Sequence, residues 1–410
     1  MLFKNATLCD YQGIKTGDLR AQDGIITQIG SLSLLPGEEV LDLQGKLLLP
    51  AMIDLNVAPK SLSLCTKNLL SLAQKALKGG VGSILLYPRT TPTCSESGSI
   101  ELIKNLNSQS PIHLLPAINP LNLEGKLSDI STLYHSGGRA IFVQSDIDAH
   151  SLMKIAQYAQ MLDIPLICFC QDRSVADGVM NEGLLSASLG LPSIPAFSQT
   201  KEVAKIAEML HTLPIKLIFD TLVYPRSFDI LHHFALHSSI QATFYTQTSI
   251  HHLLLDESLC ENYNTAAKIN PPLVDKSSLA QILSLLQKGQ VSTLTSLQCA
   301  DFKSKKDQVF EMASFGIDAL EIYFSLLYTY LHKANNIPLP LISQLTSYIP
   351  AQILNLNKGV LAEGKIAELI IINPNESFVF NDTFSPYDGQ ELYGKVEALF
   401  SLQTLHTSRI

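Results

Sequence analysis

Alternating apolar and polar positions characterise both ends of the chain. Residues 2–45 contain short runs of this kind separated by turns, with Asp23 and Gly24 at a hairpin signal. The same texture returns after residue 358, in GVLAEGKIAELIIINP and ELYGKVEALFSLQTLH. Because a period of two is typical of half-buried strands, the two ends are predicted to form one composite β-sandwich domain from residues 1–48 and 355–410.

The middle of the chain has a different pattern, in which apolar runs alternate with amphipathic helical windows. It begins at residues 47–56, LLLPAMIDLN, an apolar run that ends in polar residues. Further runs follow at 83–88, 112–117, 139–143, 164–170, 214–219, 241–245 and 291–295, with helical windows at 69–77, 148–162, 201–210 and 228–237. About eight such strands with right-handed crossovers close into a (β/α)8 TIM barrel. The barrel is predicted to span residues 49–354, with its site at the carboxyl ends of the strands.

Composition and charge exclude several classes of function. The 410-residue chain has a formal net charge of −8, so a nucleic-acid or anionic-membrane surface is not expected. Its densest basic cluster, Lys303, Lys305 and Lys306, is interpreted as a solvated loop. Seven scattered cysteines argue against a disulfide framework and favour the cytoplasm. No apolar stretch reaches the length of a membrane span and no signal-peptide pattern is present, so we expect a soluble protein.

Two groups of histidines resemble sites but are better explained structurally. His233 and His237 have the i, i+4 spacing of a zinc-binding helix, with His232 beside them, yet no glutamate lies between them and no third ligand is evident. That segment is predicted to be a solvated helix face. His251 and His252 are predicted to bond backbone groups near the barrel rim.

Cysteine and glycine patterns also favour structural roles. Cys168 and Cys170 form a C-x-C within an apolar run and are predicted to lie in the core, since no second Cys or His pair is close in sequence. The glycine-rich residues 79–82 follow a helical window and precede a strand. A phosphate-binding loop runs from strand to helix, so this segment is predicted to be a simple turn.

Several long stretches carry a resemblance to a known family. They are LLLPAMIDLNV, GGVGSILLYPRTTPT, IPLICFCQDRSVADGVMNEGLLSASLGLPSIP, SIHHLLLDESLCENYNTAAKINPPL, FGIDALE, KGVLAEGKIAELIIINPNESF and PYDGQELYGKV. In order and content they resemble the dihydroorotase branch of the amidohydrolase superfamily, from about residue 2 to about residue 400. The resemblance implies a barrel with a composite sandwich, and a place in de novo pyrimidine biosynthesis.

The same resemblance implies a set of metal positions, none of which holds a metal ligand here. Working members have a His-x-His on the first barrel strand, a bridging Lys or Asp, two single histidines and a final aspartate base. The corresponding positions are Asn56, Ala58, Gln144, Phe169, Thr221 and Leu297. The family chemistry needs a cation that lowers the pKa of water. We therefore expect no metal cofactor, and zinc only if the protein is active.

The substrate-binding positions implied by the resemblance are also altered. The arginine that grips the substrate carboxylate corresponds to Lys60, which keeps the charge but loses the bidentate fork. A family asparagine corresponds to Arg89, whereas Asn270 matches its family counterpart. Taken alone, Asn270 is better explained by loop geometry ahead of two prolines. These three residues are interpreted as vestiges of a binding site.

Three functional hypotheses follow. The first is a catalytically silent homologue that acts as a structural partner of aspartate carbamoyltransferase, with a homo-oligomer left open. The second is an active cyclic amidohydrolase that interconverts dihydroorotate and carbamoyl aspartate at a non-standard site, where Asp54, Asp220, Asp301 and Cys299 are the only nearby candidate groups. The third is a small-molecule sensor that keeps the pocket for binding alone.

Overall fold

Strands from both ends of the chain form one eight-stranded sheet in the computed structural model, which describes residues 1–236 and 240–407. Its order is Thr404–Thr407, Glu391–Ser401, Leu369–Val379, Leu47–Pro50, Leu2–Asp10, Gly13–Gln22 and Ile25–Gly30, with Val40–Asp42 beside Leu2–Asp10. Phe3 packs edge-to-face on Phe400, with 5.4 Å between ring centroids. The sheet domain built from both chain ends is confirmed, as one continuous sheet around its own apolar core.

A parallel barrel forms the middle of the chain, as predicted. Its strands are Met52–Ala58, Val81–Leu86, His113–Ile118, Ala140–Gln144, Leu166–Phe169, Lys216–Asp220, Thr243–Ser249 and an interrupted eighth strand, Thr293–Thr295 with Gln298–Cys299. The first part of the eighth strand pairs with the seventh strand, and the second part pairs with the first. These two pairings close the barrel. Ser296 and Leu297 connect the two parts of the eighth strand, and Leu297 lines the cavity described below.

The prediction of a single strand over residues 47–56 is wrong. Leu47–Pro50 belongs to the sheet domain, where it pairs with Leu369–Ile372, and the barrel strand begins only at Met52. Both parts are buried throughout. The apolar run continues unbroken across the change of sheet, so its periodicity gives no signal of the boundary.

Helices cover the barrel and pack on its outer face. The α-helices are Thr66–Lys78, Ser97–Leu106, Ile130–Ser136, Ala149–Leu162, Leu184–Leu189, Phe197–Leu210, Pro225–Ala235, His251–Leu254, Lys276–Gln287, Lys303–Lys306, Tyr323–Leu326, Leu339–Ser343 and Ile349–Ile353. Leu327–Ala334 and Gln344–Tyr348 are π-helical, and Met180–Asn181 pairs with Ser193–Ile194. No helix in the described part of the chain is long and apolar enough to cross a membrane.

The turn at residues 79–82 connects a helix to a strand, as predicted. The helix ends at Lys78 and the second barrel strand begins at Val81. A Cβ at Gly79 would lie 1.8 Å from the carbonyl oxygen of Leu320, so only glycine fits. The glycine therefore serves close packing between the helix and the segment before Tyr323.

The cysteine prediction is confirmed, and the histidine helix is described only in part. Cys168 and Cys170 are buried within the main apolar core. His232 and His233 are exposed on the helix Pro225–Ala235. His237 lies outside the described residues.

The interpretation of the basic cluster is wrong for Lys306. Lys303 and Lys305 are exposed, but Lys306 is only 6% exposed and donates to the carbonyl oxygens of Thr265 and Lys268, each at 3.0 Å. Burial lowers the pKa of Lys306 to about 8. Tertiary contacts across 38 to 41 residues position this ammonium, and the local charge pattern gives no sign of them.

A buried ion pair joins the barrel to the sheet domain. Lys358 Nζ lies 2.7 Å from Glu368 Oε2, and both side chains are almost fully buried. Ser83 of the second barrel strand accepts from Lys358 at 2.5 Å and donates to Glu368 at 3.1 Å. Burial opposes ionisation of Glu368, yet Lys358 and His113 hold its pKa below the usual value. The pair therefore fixes the base of the barrel against the strand that begins at Leu369.

Candidate functional site at the carboxyl end of the barrel

The tip of the first barrel strand turns two side chains into a central cavity. Ile53 and Leu55 lie in the apolar core shared by the barrel strands. The register with the second strand then shifts between Asp54 and Val57. Such an irregularity re-aims the residues that follow it, and Asn56 and Ala58 consequently line the cavity.

The central cavity has a volume of about 220 Å³ and brings most of the predicted positions together. Its lining comprises Asn56, Ala58, Leu62, Tyr87, Phe142, Gln144, Phe169, Asp220, Ile269, Asn270, Leu297, Gln298, Cys299, Phe315 and Gly316. Five of the six predicted metal positions are therefore in one place, and most of the surrounding wall is hydrocarbon. Thr221, the sixth, is fully buried, and its hydroxyl donates to Asp220 at 2.8 Å.

Asn56 is tied directly to a buried carboxylate on the far side of the barrel. Its Nδ2 donates to Asp220 Oδ2 at 2.8 Å. Gln247 Nε2 and the hydroxyl of Thr221 donate to the other oxygen, at 2.7 and 2.8 Å. Thr293 in turn donates to Gln247 Oε1 at 3.0 Å. Asp220 is thus held by neutral donors from the first and seventh strands and from the adjacent Thr221, and it is buried.

Asp54, two residues before Asn56 on the first barrel strand, is also held by neutral donors. It accepts from the hydroxyl of Thr295 at 2.5 Å, from the amide of Ser296 at 2.9 Å and from the amide of Asn56 at 3.2 Å. These bonds fix the interrupted eighth strand against the first strand. Asp54 is fully buried and does not line the cavity. Its role is therefore to hold the first and eighth strands together where the barrel closes.

Burial raises the pKa of both carboxyl groups. For Asp54 and Asp220 alike, removal of the charged form from water outweighs the hydrogen bonds that favour ionisation. The negative charge of Asp54 raises the pKa of Asp220 further. Neither carboxyl has a cationic hydrogen-bond partner among the bonds described above, so ionisation of the pair is costly.

Sequence reasoning missed Gln247, Thr293 and Thr295. A usable signal exists, because the seventh strand ends in FYTQTS, where polar side chains replace the apolar run expected of a buried strand. All three residues are fully buried, Gln247 on the seventh strand and Thr293 and Thr295 in the first part of the eighth. Polar residues at such positions indicate a site or its remnant.

Two predicted positions adopt left-handed backbone conformations. Thr221 has φ of 47° and Leu297 has φ of 46°, at the ends of the sixth strand and within the eighth. This region is unfavourable for bulky and branched residues. Gly316, with φ of 113°, packs against the eighth strand, where a Cβ would lie 2.0 Å from the carbonyl oxygen of Cys299. The backbone around the cavity is therefore tightly specified.

The structure separates the three predicted substrate residues. Only Asn270 lines the central cavity, and it exchanges amide hydrogen bonds with Gln171, at 2.9 and 3.2 Å. Lys60 lies outside this lining, with its ammonium 4.7 Å from the ring centroid of Phe302. Arg89 lines a neighbouring cavity and donates to Gln144. The three side chains do not converge on one ligand position.

His251 and His252 are fully buried and have structural partners. His252 bonds the carbonyl oxygen of Pro271 through Nε2 at 2.9 Å, as predicted, and the hydroxyl of Ser249 through Nδ1 at 2.7 Å. His251 instead bonds a side chain, the hydroxyl of Tyr387, at 2.9 Å. Burial lowers the pKa of His251 to about 3 and that of His252 to about 4, so both are neutral at physiological pH.

The sequence comparisons identify the family. A protein of Helicobacter pylori (strain ATCC 700392 / 26695) named "Probable dihydroorotase-like protein" is 30% identical over 400 residues, covering 97% of this chain and 96% of that protein. The "Dihydroorotase" of Ruminiclostridium cellulolyticum is 30% identical over 417 residues, covering 96% and 95%. The chain belongs to the dihydroorotase family. Residues 260–394 also match the amidohydrolase family model.

Solved structures agree with this dihydroorotase-family fold. The L-hydantoinase of Arthrobacter aurescens superposes with a TM-score of 0.86 at 17% identity and covers 98% of this chain and 95% of that one. The D-hydantoinase of Thermus sp. gives a TM-score of 0.84 at 19% identity, covering 100% and 96%. At these identities the likeness shows the fold alone.

The side chains of this dihydroorotase-family member do not fit a divalent cation. The six positions predicted from the resemblance offer two amides, a hydroxyl and three hydrocarbon groups, none of which matches the imidazole, thiolate and carboxylate ligands that zinc prefers. Within residues 1–236 and 240–407, no group of three or more His, Cys, Asp or Glu side chains is arranged to hold a metal ion. Asp220, the one carboxylate in the cavity lining, is committed to Asn56, Gln247 and Thr221.

Proposed function

We propose that this chain is a catalytically silent member of the dihydroorotase family that serves de novo pyrimidine biosynthesis as a structural partner of aspartate carbamoyltransferase. The observation that carries the proposal is the hydrogen bond from Asn56 to Asp220, and the absence of ligand side chains from the six predicted metal positions supports it. The barrel is kept, while the groups needed to bind and use a metal hydroxide have been replaced.

The chemistry of the family supports this proposal. Opening or closing a cyclic amide near neutral pH requires an activated water, and a cation with an open coordination position supplies it. Asn56, Ala58 and Phe169 cannot replace imidazole ligands, and Leu297 cannot act as a proton acceptor. Asp220 contributes a carboxyl group to the lining of the central cavity, but its two oxygens are already engaged by three donors.

An active enzyme with a metal-free site is the second candidate, because Cys299 and Asp220 both line the central cavity. Burial raises the pKa of the Cys299 thiol to about 11, which leaves it protonated and weakly nucleophilic at neutral pH. Asp301 forms bonds with Ser61 and with its neighbouring backbone at the rim. These arrangements do not activate a nucleophile, so we favour the silent form.

The role as a structural partner is supported by the features that the chain retains, which stabilise the fold and do not serve catalysis. The barrel closure, the buried Lys358–Glu368 pair and the strained backbone at Thr221 and Leu297 maintain shape around a site without catalytic groups. Silent members of the family assemble with aspartate carbamoyltransferase, and we extend that role to this chain. A small-molecule sensor would also keep the fold, and ligand titration separates it from a scaffold.

Metal content and turnover test the loss of catalysis. The purified chain is analysed for zinc by mass spectrometry and assayed with dihydroorotate and with carbamoyl aspartate, before and after addition of zinc. The dihydroorotase of R. cellulolyticum, prepared identically, controls for loss of metal during purification. We expect less than about one tenth of an equivalent of zinc and no turnover above background. Stoichiometric zinc, or turnover abolished by a chelator, would reject the silent form.

Co-purification tests the partner. The tagged chain is isolated from its native cells, and the mass of the complex is measured by light scattering after size-exclusion chromatography. We expect aspartate carbamoyltransferase in a fixed ratio to the chain. If the chain elutes alone, and purified carbamoyltransferase fails to bind it at about 10 µM, the partnership is wrong whatever the metal assay shows.

A further inference from the structure

A second and larger cavity lies beside the central one, with a volume of about 510 Å³. The two share Phe142 and Gln144 in their walls. The second cavity is lined by segments that follow the second, third, fourth and fifth barrel strands. These contribute Arg89, Thr90, Thr93, Asn119, Pro120, Leu121, Asn122, Leu123, Gly125, Val143, Asp146, Ile147 and Arg173 to its wall.

Two guanidinium groups converge in this cavity on one neutral oxygen atom. Arg89 Nη1 and Arg173 Nη2 both donate to Gln144 Oε1, although the two arginines are far apart in sequence. An amide oxygen is a weak partner for two cations, because it carries no net charge to offset their mutual repulsion. Two guanidinium groups that meet at one acceptor suit an anion with several oxygen atoms, which each planar fork can bind through two parallel hydrogen bonds.

The charges around the cavity leave an excess of positive charge. Asp146 forms an ion pair with Arg173, with Oδ2 at 3.3 Å from Nε. Among the described residues, no carboxylate forms an ion pair with Arg89. Glu124 on the nearby loop is itself paired with Lys126, at 2.9 Å. The lining therefore carries a net charge of about +1 where the arginines meet, which favours the approach of an anion.

Neutral groups complete the lining. The oxygen of Asn122 accepts from the backbone amides of Glu124 and Lys126, at 3.0 and 2.9 Å, so its amide nitrogen is the group it can offer to a ligand. Thr90 lies beside Arg89, and Pro120, Leu121 and Ile147 supply apolar surface. A cavity of this size and mixed lining matches those that hold small metabolites.

We propose that this second cavity binds the oxyanion group, a phosphate or a carboxylate, of a small metabolite between Arg89 and Arg173. The anion displaces the two guanidinium groups from Gln144 Oε1 and replaces a neutral acceptor with a charged one. Binding here needs no metal and no catalytic group. The proposal therefore stands independently of the silent form and of its partner.

Calorimetric titration tests the site with two simple probes. Sodium phosphate and sodium succinate are titrated separately into the full chain, with sodium chloride at matched ionic strength as the reference. We expect saturable binding of at least one probe with a Kd below about 1 mM. A preference for phosphate indicates a phosphorylated ligand, and a preference for succinate indicates a carboxylated one. The absence of saturable heat from both probes up to about 10 mM overturns the proposal.

Variants establish that the arginines are responsible. Arg173→Gln and Arg89→Gln are each expected to weaken binding of the better probe at least about tenfold, and Arg89→Lys should give an intermediate loss because it keeps charge without the fork. Arg139→Gln is the matched control, since Arg139 is exposed and precedes the fourth strand at the opposite end of the barrel. Equal weakening by the control, or unchanged affinity in both arginine variants, overturns the proposal. Unchanged circular dichroism melts confirm that each variant is folded.

Discussion

The side-chain amide of Asn56 and the buried carboxyl of Asp220 are joined by a 2.8 Å hydrogen bond that links the first barrel strand to the sixth. The resemblance to the family places two metal ligands on the first strand and another after the sixth, at Asn56, Ala58 and Thr221 in this chain. Here the corresponding strand ends are held together directly by protein groups. The barrel therefore does not depend on a cation for the connection between these strands.

Replacing Asn56 with alanine should destabilise the fold. Asn56→Ala removes one donor from Asp220 and leaves part of a fully buried carboxyl unsatisfied, so the free energy of unfolding should fall by about 1–3 kcal/mol. Urea denaturation followed by circular dichroism measures the change. Asn105→Ala, at an exposed position of the helix Ser97–Leu106, is the control and should change stability by less than about 0.5 kcal/mol. Equal effects of the two variants would contradict the role assigned to the bond.

Asp220 should give the stability an unusual dependence on pH. Because its pKa is raised in the folded state, the folded chain binds more protons than the unfolded chain above about pH 4. Its contribution to stability is fully present below that pH and is lost as the pH rises through the folded-state pKa. In Asp220→Asn, the free energy of unfolding should fall less steeply than in the parent as the pH rises above about 4.

Asp129 provides the control of opposite sign for that experiment. Hydrogen bonds from Thr132 lower the pKa of Asp129 at the start of the helix Ile130–Ser136. Its contribution is present above the unfolded-state pKa and is lost as the pH falls through the folded-state value. Asp129→Asn should therefore change the slope of stability against pH only below about pH 4, and in the direction opposite to the change that Asp220→Asn causes above about pH 4. Shifts in the same direction would show that Asp220 is not the group responsible.

The buried pair of Lys358 and Glu368 should be essential to stability. Glu368→Gln leaves the Lys358 ammonium without a counter-charge, and the expected loss is about 3 kcal/mol by chemical denaturation. The exposed pair of Glu124 and Lys126 supplies the comparison, since Glu124→Gln should cost less than about 0.5 kcal/mol. A double variant, Lys358→Met with Glu368→Met, should recover part of the loss. Failure of Glu368→Gln to exceed the exposed control would contradict this role.

Lys268 should hold the loop that covers one side of the central cavity. Its ammonium donates to the carbonyl oxygens of Phe310, Glu311 and Ala313, at 2.7, 3.0 and 2.7 Å. Lys268→Met removes these bonds, so amide hydrogen exchange across residues 302–316 should accelerate by about tenfold or more. Lys305→Met, at an exposed lysine of the same region, should leave exchange unchanged. Similar rates in both variants would show that the loop does not depend on Lys268.

Most of the fold could be predicted from sequence because each barrel strand is a separate apolar run between helical windows. The boundary at Pro50 could not, since residues on both sides of it are equally buried and differ only in which strands they join. The burial of Lys306 could not be predicted from the sequence either. Its acceptors come from a segment about 40 residues earlier, and side-chain charge alone predicts exposure.

The site could be predicted in composition but not in geometry. Comparison with the family located Asn56, Ala58, Phe169 and Leu297, and the structure brings these positions to one cavity. Asp220, the hydrogen-bond partner of Asn56, lies 164 residues away in sequence, so no local pattern predicts the contact. Arg173 was missed for a similar reason. It follows the fifth strand in a stretch with no distinctive spacing, and only the fold brings it to Gln144 and Arg89.

The eight-stranded sheet formed by both chain ends limits the order in which its strands can pair during synthesis. Leu47–Pro50 pairs with Leu2–Asp10 on one side and with Leu369–Ile372 on the other. On the ribosome, Leu47–Pro50 can pair with Leu2–Asp10 early, but its other neighbour emerges only after the whole barrel has been made. The barrel strands can assemble in order during this interval. Until then one edge of the apolar strand Leu47–Pro50 stays unpaired, and an unpaired apolar edge can pair with another chain.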